Sequence, residues 1–324
     1  GDQFGYSVAV SADGTRMIAG ARNSDNGGTD SGHARVYELT NGVWTQLGAD
    51  IDGSAASDLW GTSVSISDDG TRVAVGSPSI ASNTGAVGIY QYNGSAWVQV
   101  GNNIEGEVLG DLLGQSISLN ADGTRIAIGA YANDGNGTDA GHVRVYGESG
   151  GTWSQLGSDI DGEAAGDLSG YSVGLNDAGD YLIVGGLNND ANGSNSGHAR
   201  IYNYNGTSWV QIGADIDGRT TNEQFGFSVS INGDGTIVAI GARRHGLAGI
   251  IQVYEFSGGT WNQLGSDIEG ETAGEWFGYS VSISADGTYL VGGARRNNSD
   301  SGKARVFKYT SAGDWTQVGS GIVG

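Results

Sequence analysis

Six times along the 324-residue chain, a Phe-Gly dipeptide or a close variant opens a stretch of some fifty residues that carries a tryptophan near its end, followed in five of the six by an acidic run. The openings fall at 4–5, 60–61 (Trp-Gly), 113–114 (Leu-Gly), 169–170 (Ser-Gly), 225–226 and 277–278. Trp44, Trp97, Trp153, Trp209, Trp261 and Trp315 keep the same beat, as do Gly14, Gly70, Gly123, Gly179, Gly235 and Gly287. The interval stays between 52 and 56 residues. A fixed period of this length means that one supersecondary unit is copied, each copy covering its neighbour. The copies span about 1–56, 57–109, 110–165, 166–221, 222–273 and 274–324 and leave no room for a second kind of domain.

Within a copy the apolar residues alternate with period two. In the first copy "GYSVAVS" (5–11), "RMIAGA" (16–21), "HARVYEL" (33–39) and "VWTQLGADI" (43–51) read as strands. "ADGT" and "TNG" read as tight turns, and residues 22–32 as a longer loop. No segment has a helical period. Four-stranded antiparallel units, six in number, predict an all-β, six-bladed β-propeller. "AGA" and its copies place small residues where blades crowd, and one Trp per blade is expected to pack among the outer strands. The "GSGIVG" end and the "GDQFG" start together approximate one inter-blade connection. This predicts a cut between blades, with no strand exchanged.

The formal charge is −21, from 36 acids against 15 basic residues. Such a chain repels phosphate backbones, which argues against nucleic-acid binding. Cysteine is absent, so disulfides and thiolate metal sites are excluded. No apolar run approaches the ~18 residues of a membrane span, and membrane insertion is not expected.

The units "FGYSVAVSADGTRMIAGA" followed by "SGHARVY", and "FGYSVSISADGTYLVGGA" followed by "SGKARVF", resemble FG-GAP repeats. These are the propeller repeats of integrin α-subunits and many extracellular proteins. The resemblance covers the whole chain. It implies a secreted or surface-attached adhesion or recognition module, with a glycan or a cell-surface protein as partner. Many such repeats carry a calcium loop between strands one and two. Here only the closing Asp-Gly of that loop remains, as at Asp13-Gly14 and Asp122-Gly123. A four-residue turn cannot supply six to eight oxygens, so a hairpin turn is expected instead.

The acidic run joins strand four of one blade to strand one of the next. In "GSDIDGEAAGD" (157–167), Asp159, Asp161, Glu163 and Asp167 are candidates to converge on calcium. The copies offer Asp50, Asp52 and Asp58, then Asp215 and Asp217, then Asp267 and Glu269. The competing reading is a charged exposed turn, because Ile160 and its copies persist even where the acids are lost. An antiparallel blade puts this connection and the strand two–three loop at the same end. Asp25, Asp30, Asp134, Asp139 and Asp190 of those loops are therefore candidate ligand contacts, since recognition favours loops on a rigid scaffold. Arg243, Arg244 and His245, with Arg295 and Arg296 in the last copy, are candidates to bind a carboxylate or sulfate, or to pair with neighbouring acids. His33, His142 and His198 occupy equivalent positions where other copies have Ala86 and Ile250, which points to a structural role. Ser7 and its copies follow Gly-x in every repeat and are expected to be structural as well.

The notable residues recur from copy to copy, and no base is paired with a nucleophile. The expected function is non-enzymatic recognition or adhesion through the acidic loop end, with calcium as an assisting ion. A structural tile of a surface layer is the alternative, and a propeller enzyme with one blade-specific pocket is a third.

Overall fold

The computed structural model describes residues 1–297 and 301–324. The first repeat sets the pattern: β1 (Phe4–Val10), β2 (Arg16–Ala21), β3 (His33–Thr40), β4 (Val43–Gln46) and the two-residue β5 (Ile51–Asp52). Neighbours pair antiparallel in the order β1-β2-β3-β4, and β5 pairs with the start of β3. All six sheets repeat this plan, and each draws its strands from one repeat. The chain divides into two compact units, Gly1–Asp161 and Gly162–Gly324, of three sheets each. The fold class is the expected one: all-β, with the six four-stranded sheets as the blades of a β-propeller. A short turn at Ile80–Asn83 is assigned as helix, though its Ala81 and Ser82 take left-handed φ values of 52° and 60°.

The predicted fourth strand, 43–51, is corrected by the structure. It forms in two pieces along one edge of β3: β4 pairs Thr40–Tyr37, and β5 pairs Ala34–His33. The break lies at Gly48, whose φ of +77° suits glycine. Trp97 of the next repeat meets the chain at this break. Its indole ring lies against Gly48, and its Nε1–H donates to the Leu47 carbonyl at 2.8 Å. Trp153 reaches Val100, Trp261 reaches Ile212 and Trp315 reaches Leu264 in the same way, at 2.9, 3.0 and 2.9 Å. The tryptophans thus latch one repeat to the one before it. Trp97, Trp261 and Trp315 also pack on an aromatic ring of their own repeat, as in the Tyr92–Trp97 pair at 5.2 Å.

A second latch joins the strand-one serines to the Phe-Gly glycines. Ser7 Oγ donates to the Gly61 carbonyl at 2.9 Å, Ser63 to Gly114 at 2.7 Å, Ser172 to Gly226 at 2.8 Å and Ser228 to Gly278 at 2.9 Å. This fulfils the structural role expected of the serines. The buried clusters run across repeats as well. Ile18 and Val36 of the first pack with Trp60, Val64 and Val75 of the second. Phe225, Ile240 and Ile250 pack with Ile183 and Ile201 of the repeat before.

Candidate functional site

The turns between strands one and two are closed by their own carboxylates. Asp13 accepts the Thr15 backbone N–H at 2.9 Å and the Ser11 hydroxyl at 2.7 Å. These bonds, that of Thr15 first, lower its pKa to about 2. Asp69, Asp122, Asp234 and Asp286 accept the matching Thr N–H in the same manner. The residues do not fit the calcium loop of related repeats, because the carboxylate is already spent on the hairpin.

The two longer connections lie side by side at the other end of each sheet. In the first repeat Asn26 Nδ2 donates to Asp50 and Asp52 at 3.2 and 3.3 Å. In the fourth, Asn192 Nδ2 donates to the Gly218 carbonyl at 2.9 Å. Asp25, Asp134 and Asp190 staple their own loops by accepting the N–H of Asp30, Asp139 and Asn195 at 2.9, 2.9 and 2.7 Å. Asp30 and Asp139 take left-handed φ values of 54° and 53°. The corresponding loop of the last repeat, 297–302, falls partly outside the described residues.

The acids of the inter-repeat run differ in where they point. They are shared out among three tasks. The last acid turns inward and caps its own loop: Asp58 accepts Ser54 N–H and Ala55 N–H at 2.9 and 2.8 Å. Asp111 takes Glu107 N–H and Val108 N–H, and Asp167 takes Ala164 N–H. Glu223 and Glu275 do the same and are 0% and 1% exposed. The first acid turns to its own sheet, where a Gln side chain donates to it: Gln155 to Asp159 at 2.6 Å, Gln211 to Asp215 at 2.5 Å and Gln263 to Asp267 at 2.8 Å. Glu163 points at the third strand of the following sheet. Asp52, Asp161, Asp217 and Glu269 stand on the two-residue strand, each facing the first residue of strand three.

That first residue is the histidine that the sequence reading set aside. His33, His142 and His198 are 2%, 1% and 1% exposed, and each meets carboxylates. Three groups of converging donors occur among the described residues: His33 with Asp50 and Asp52, His142 with Glu107 and Asp159, and His198 with Glu163 and Asp215. In the first group Arg35 takes both oxygens of Asp50, at 2.9 and 2.8 Å, and holds that carboxyl below its usual pKa. Burial, with Arg35 adding to it, lowers the His33 pKa from 6.5. A depressed histidine stabilises the fold fully above its unfolded pKa, and the contribution is lost as pH falls below 6.5. Melting temperature should therefore drop between pH 7.5 and pH 5.5, and by less in His33→Asn. Equal drops in the two proteins would show that the buried imidazole is not the cause.

Around the second group a cleft of about 550 Å³ opens within the first unit. Its lining brings together Glu107, Asp111, Asp134, Asp139, Asp159 and Asp161, with His142 at the floor. Burial, followed by the charge of Arg144, lowers the His142 pKa, so the imidazole is neutral at pH 7.

The arginine candidates stack on aromatic rings. Arg243 lies 4.0 Å from the Phe227 ring centroid, and its Nε donates to Gln224 at 2.9 Å. Arg296 lies 3.8 Å from the Trp276 centroid, and Arg295 donates to the Tyr279 hydroxyl at 3.1 Å. His245 is the member that meets an acid, with Nδ1 2.8 Å from Glu223 Oε1. Arg244 is exposed.

Residues 1–37 match the model of the FG-GAP repeat. No curated protein sequence matches the chain. Among solved structures, the chain is similar to a provisionally assigned 6-phosphogluconolactonase from Bacteroides uniformis. The TM-score is 0.67 at 14% identity, over 98% of this chain and 85% of that one. It is also similar to TolB from Acinetobacter baumannii, with a TM-score of 0.52 at 15% identity over 97% and 66% of the two chains. A GH74 xyloglucanase from Xanthomonas campestris gives 0.55 at 13% identity over 98% and 45%. At such identities the likeness is one of fold, and catalysis does not follow from it. The repeat motif, its six copies and the blade topology agree: the chain is a six-bladed β-propeller whose first repeat matches the FG-GAP repeat.

Proposed function

We propose that the chain is a non-enzymatic recognition or adhesion module, working outside the cell or at its surface. It binds a glycan or a surface protein through the acidic loop ends of its blades. The observation that carries this reading is the cleft of about 550 Å³, where six carboxylates from two kinds of loop converge on a rigid sheet. Walls of one charge sign concentrate cationic groups. An amino sugar or a Lys/Arg-bearing protein loop has the matching chemistry. Calcium would need six to eight oxygens. Asp111 is turned inward to cap its loop, so the reading does not depend on that ion. Among the described residues, no helix is long and apolar enough to cross a membrane.

The test is binding of amino-sugar oligomers and of a lysine-rich peptide at low and at physiological salt. Asp139→Asn with Asp161→Asn removes two cleft charges and leaves the histidine groups intact. Affinity should fall several-fold with salt and again with the double substitution. Affinity unmoved by either change would remove the cleft from consideration as the recognition surface.

A further inference from the structure

We propose that Glu163, His198 and Asp215 form a binding site for a divalent transition metal of the zinc class. Glu107, His142 and Asp159 form an equivalent second site. The inference stands apart from the recognition reading, because metal uptake can be measured with no partner present.

The starting observation is an orphaned atom. The His198 side chain is 1% exposed, and its Nδ1 has no hydrogen-bond partner. It faces Glu163 Oε2 at 3.7 Å and Asp215 Oδ2 at 3.6 Å, too far to bond either. Three ligands held tetrahedrally by zinc at 2.0–2.2 Å stand roughly 3.3 Å from one another. The observed spacing fits donors arranged around a missing centre. The Asp217 Oδ1 atom nearby is also buried without a partner. The outer contacts suit a metal site as well. Gln211 donates to Oδ1 of Asp215 at 2.5 Å, and Arg200 lies 3.7 Å from Oε1 of Glu163. In each case the oxygen that faces the histidine is the other one. Asn189 Nδ2 is 3.4 Å from Glu163 Oε2, a long contact that a metal bond would outweigh. Supporting bonds of this kind orient ligands around a metal.

The other repeats act as internal controls. In the sixth, Lys303 replaces the histidine and its Nζ sits on Glu271. In the fifth, Arg219 replaces the glutamate and its guanidinium holds Asp267 at 2.7 Å. In the second all three groups are gone together, as Ser54, Ala86 and Asn103. Where acids remain without the histidine, a side-chain cation fills the slot. Repeats three and four keep both acids and place a buried histidine between them. An imidazole with two carboxylates suits zinc and its neighbours, whereas calcium takes oxygen donors.

The experiment strips the protein with a chelator, adds zinc alone and measures bound metal by dialysis and by calorimetry. About two zinc ions per chain are expected, with millimolar calcium unable to displace them. His198→Asn and Asp215→Asn should each remove one ion or weaken it by about tenfold or more. The aspartate variant guards against misfolding at the buried histidine. Cobalt substitution should give visible absorption bands that change in each variant. No zinc uptake above that of a His142→Asn/His198→Asn double variant would overturn the proposal. So would uptake that persists in Asp215→Asn with an unchanged cobalt spectrum.

Discussion

Phe225→Ala is expected to lower the folding stability by about 3–5 kcal/mol, the usual range for emptying an aromatic site in a packed core. Phe225 is 0% exposed and opens its repeat. Its ring packs in one cluster with Ile183, Ala199 and Ile201 of the fourth repeat and Ile240 and Ile250 of the fifth. Truncation therefore empties a junction between two sheets as well as the interior of one. The backbone around it cannot collapse into the space. Phe225 N–H is bonded to the Ser196 carbonyl at 2.9 Å, and the next residue, Gly226, accepts the Ser172 hydroxyl. Denaturant unfolding followed by tryptophan fluorescence checks the value. A loss under about 1 kcal/mol would mean that the cluster repacks and that the junction is looser than its geometry indicates.

Gly185→Ala is expected to cost about 3 kcal/mol or more, at or above the upper end of ordinary overpacking. A Cβ at this position would stand closer than 3.0 Å to the Gly226 carbonyl oxygen and to Ser172 Oγ. Those two atoms are the partners of the serine latch between repeats. One methyl group therefore falls on the hydrogen bond that joins two sheets. Gly20, Gly76 and Gly241 meet the same pair of groups at their own junctions. Ser172→Ala is the companion measurement. It removes the latch without the clash and should cost about 1 kcal/mol. If the two variants lose equal stability, the hydrogen bond is the whole effect and the steric argument fails.

These glycines show why so much of the fold could be read in advance. "AGA", "VGS", "IGA" and "VGG" recur with the period of the repeat, and a residue kept small at one strand position implies a close neighbour there. Period-two alternation gave strands one to three for the same reason, since side-chain direction in a strand follows sequence directly. The break in strand four was not legible. "VWTQLGADI" alternates well enough to be continuous, and the break comes at Gly48, where the backbone takes a left-handed φ and meets Trp97 of the next repeat.

The candidate site was legible by location and not by role. Asp159 and Asp167 look alike in the sequence, yet one faces a histidine and the other caps its own loop. Backbone N–H groups set that division, and they carry no letter in the sequence. His142 and His198 were set aside because Ala86 and Ile250 occupy the same position. The available signal lay in correlated change. Ser54, Ala86 and Asn103 depart together in one repeat, which ties the three positions to one another. The arginines of 243–245 and 295–296 were placed on the correct loops, but their stacking partners come from strand one and the residues before it.

Within each unit the junctions between neighbouring repeats use the same two bonds, indole to carbonyl and serine to glycine, whichever acids, arginines or lysines the loops carry. A blade can therefore be duplicated, deleted or recombined as a cassette whose edges already match. Its loops are then free to drift toward a new binding chemistry while assembly is left untouched. A chimaera carrying the third repeat's loops on the fifth repeat's strands would inherit the acidic groups without needing a redesigned interface.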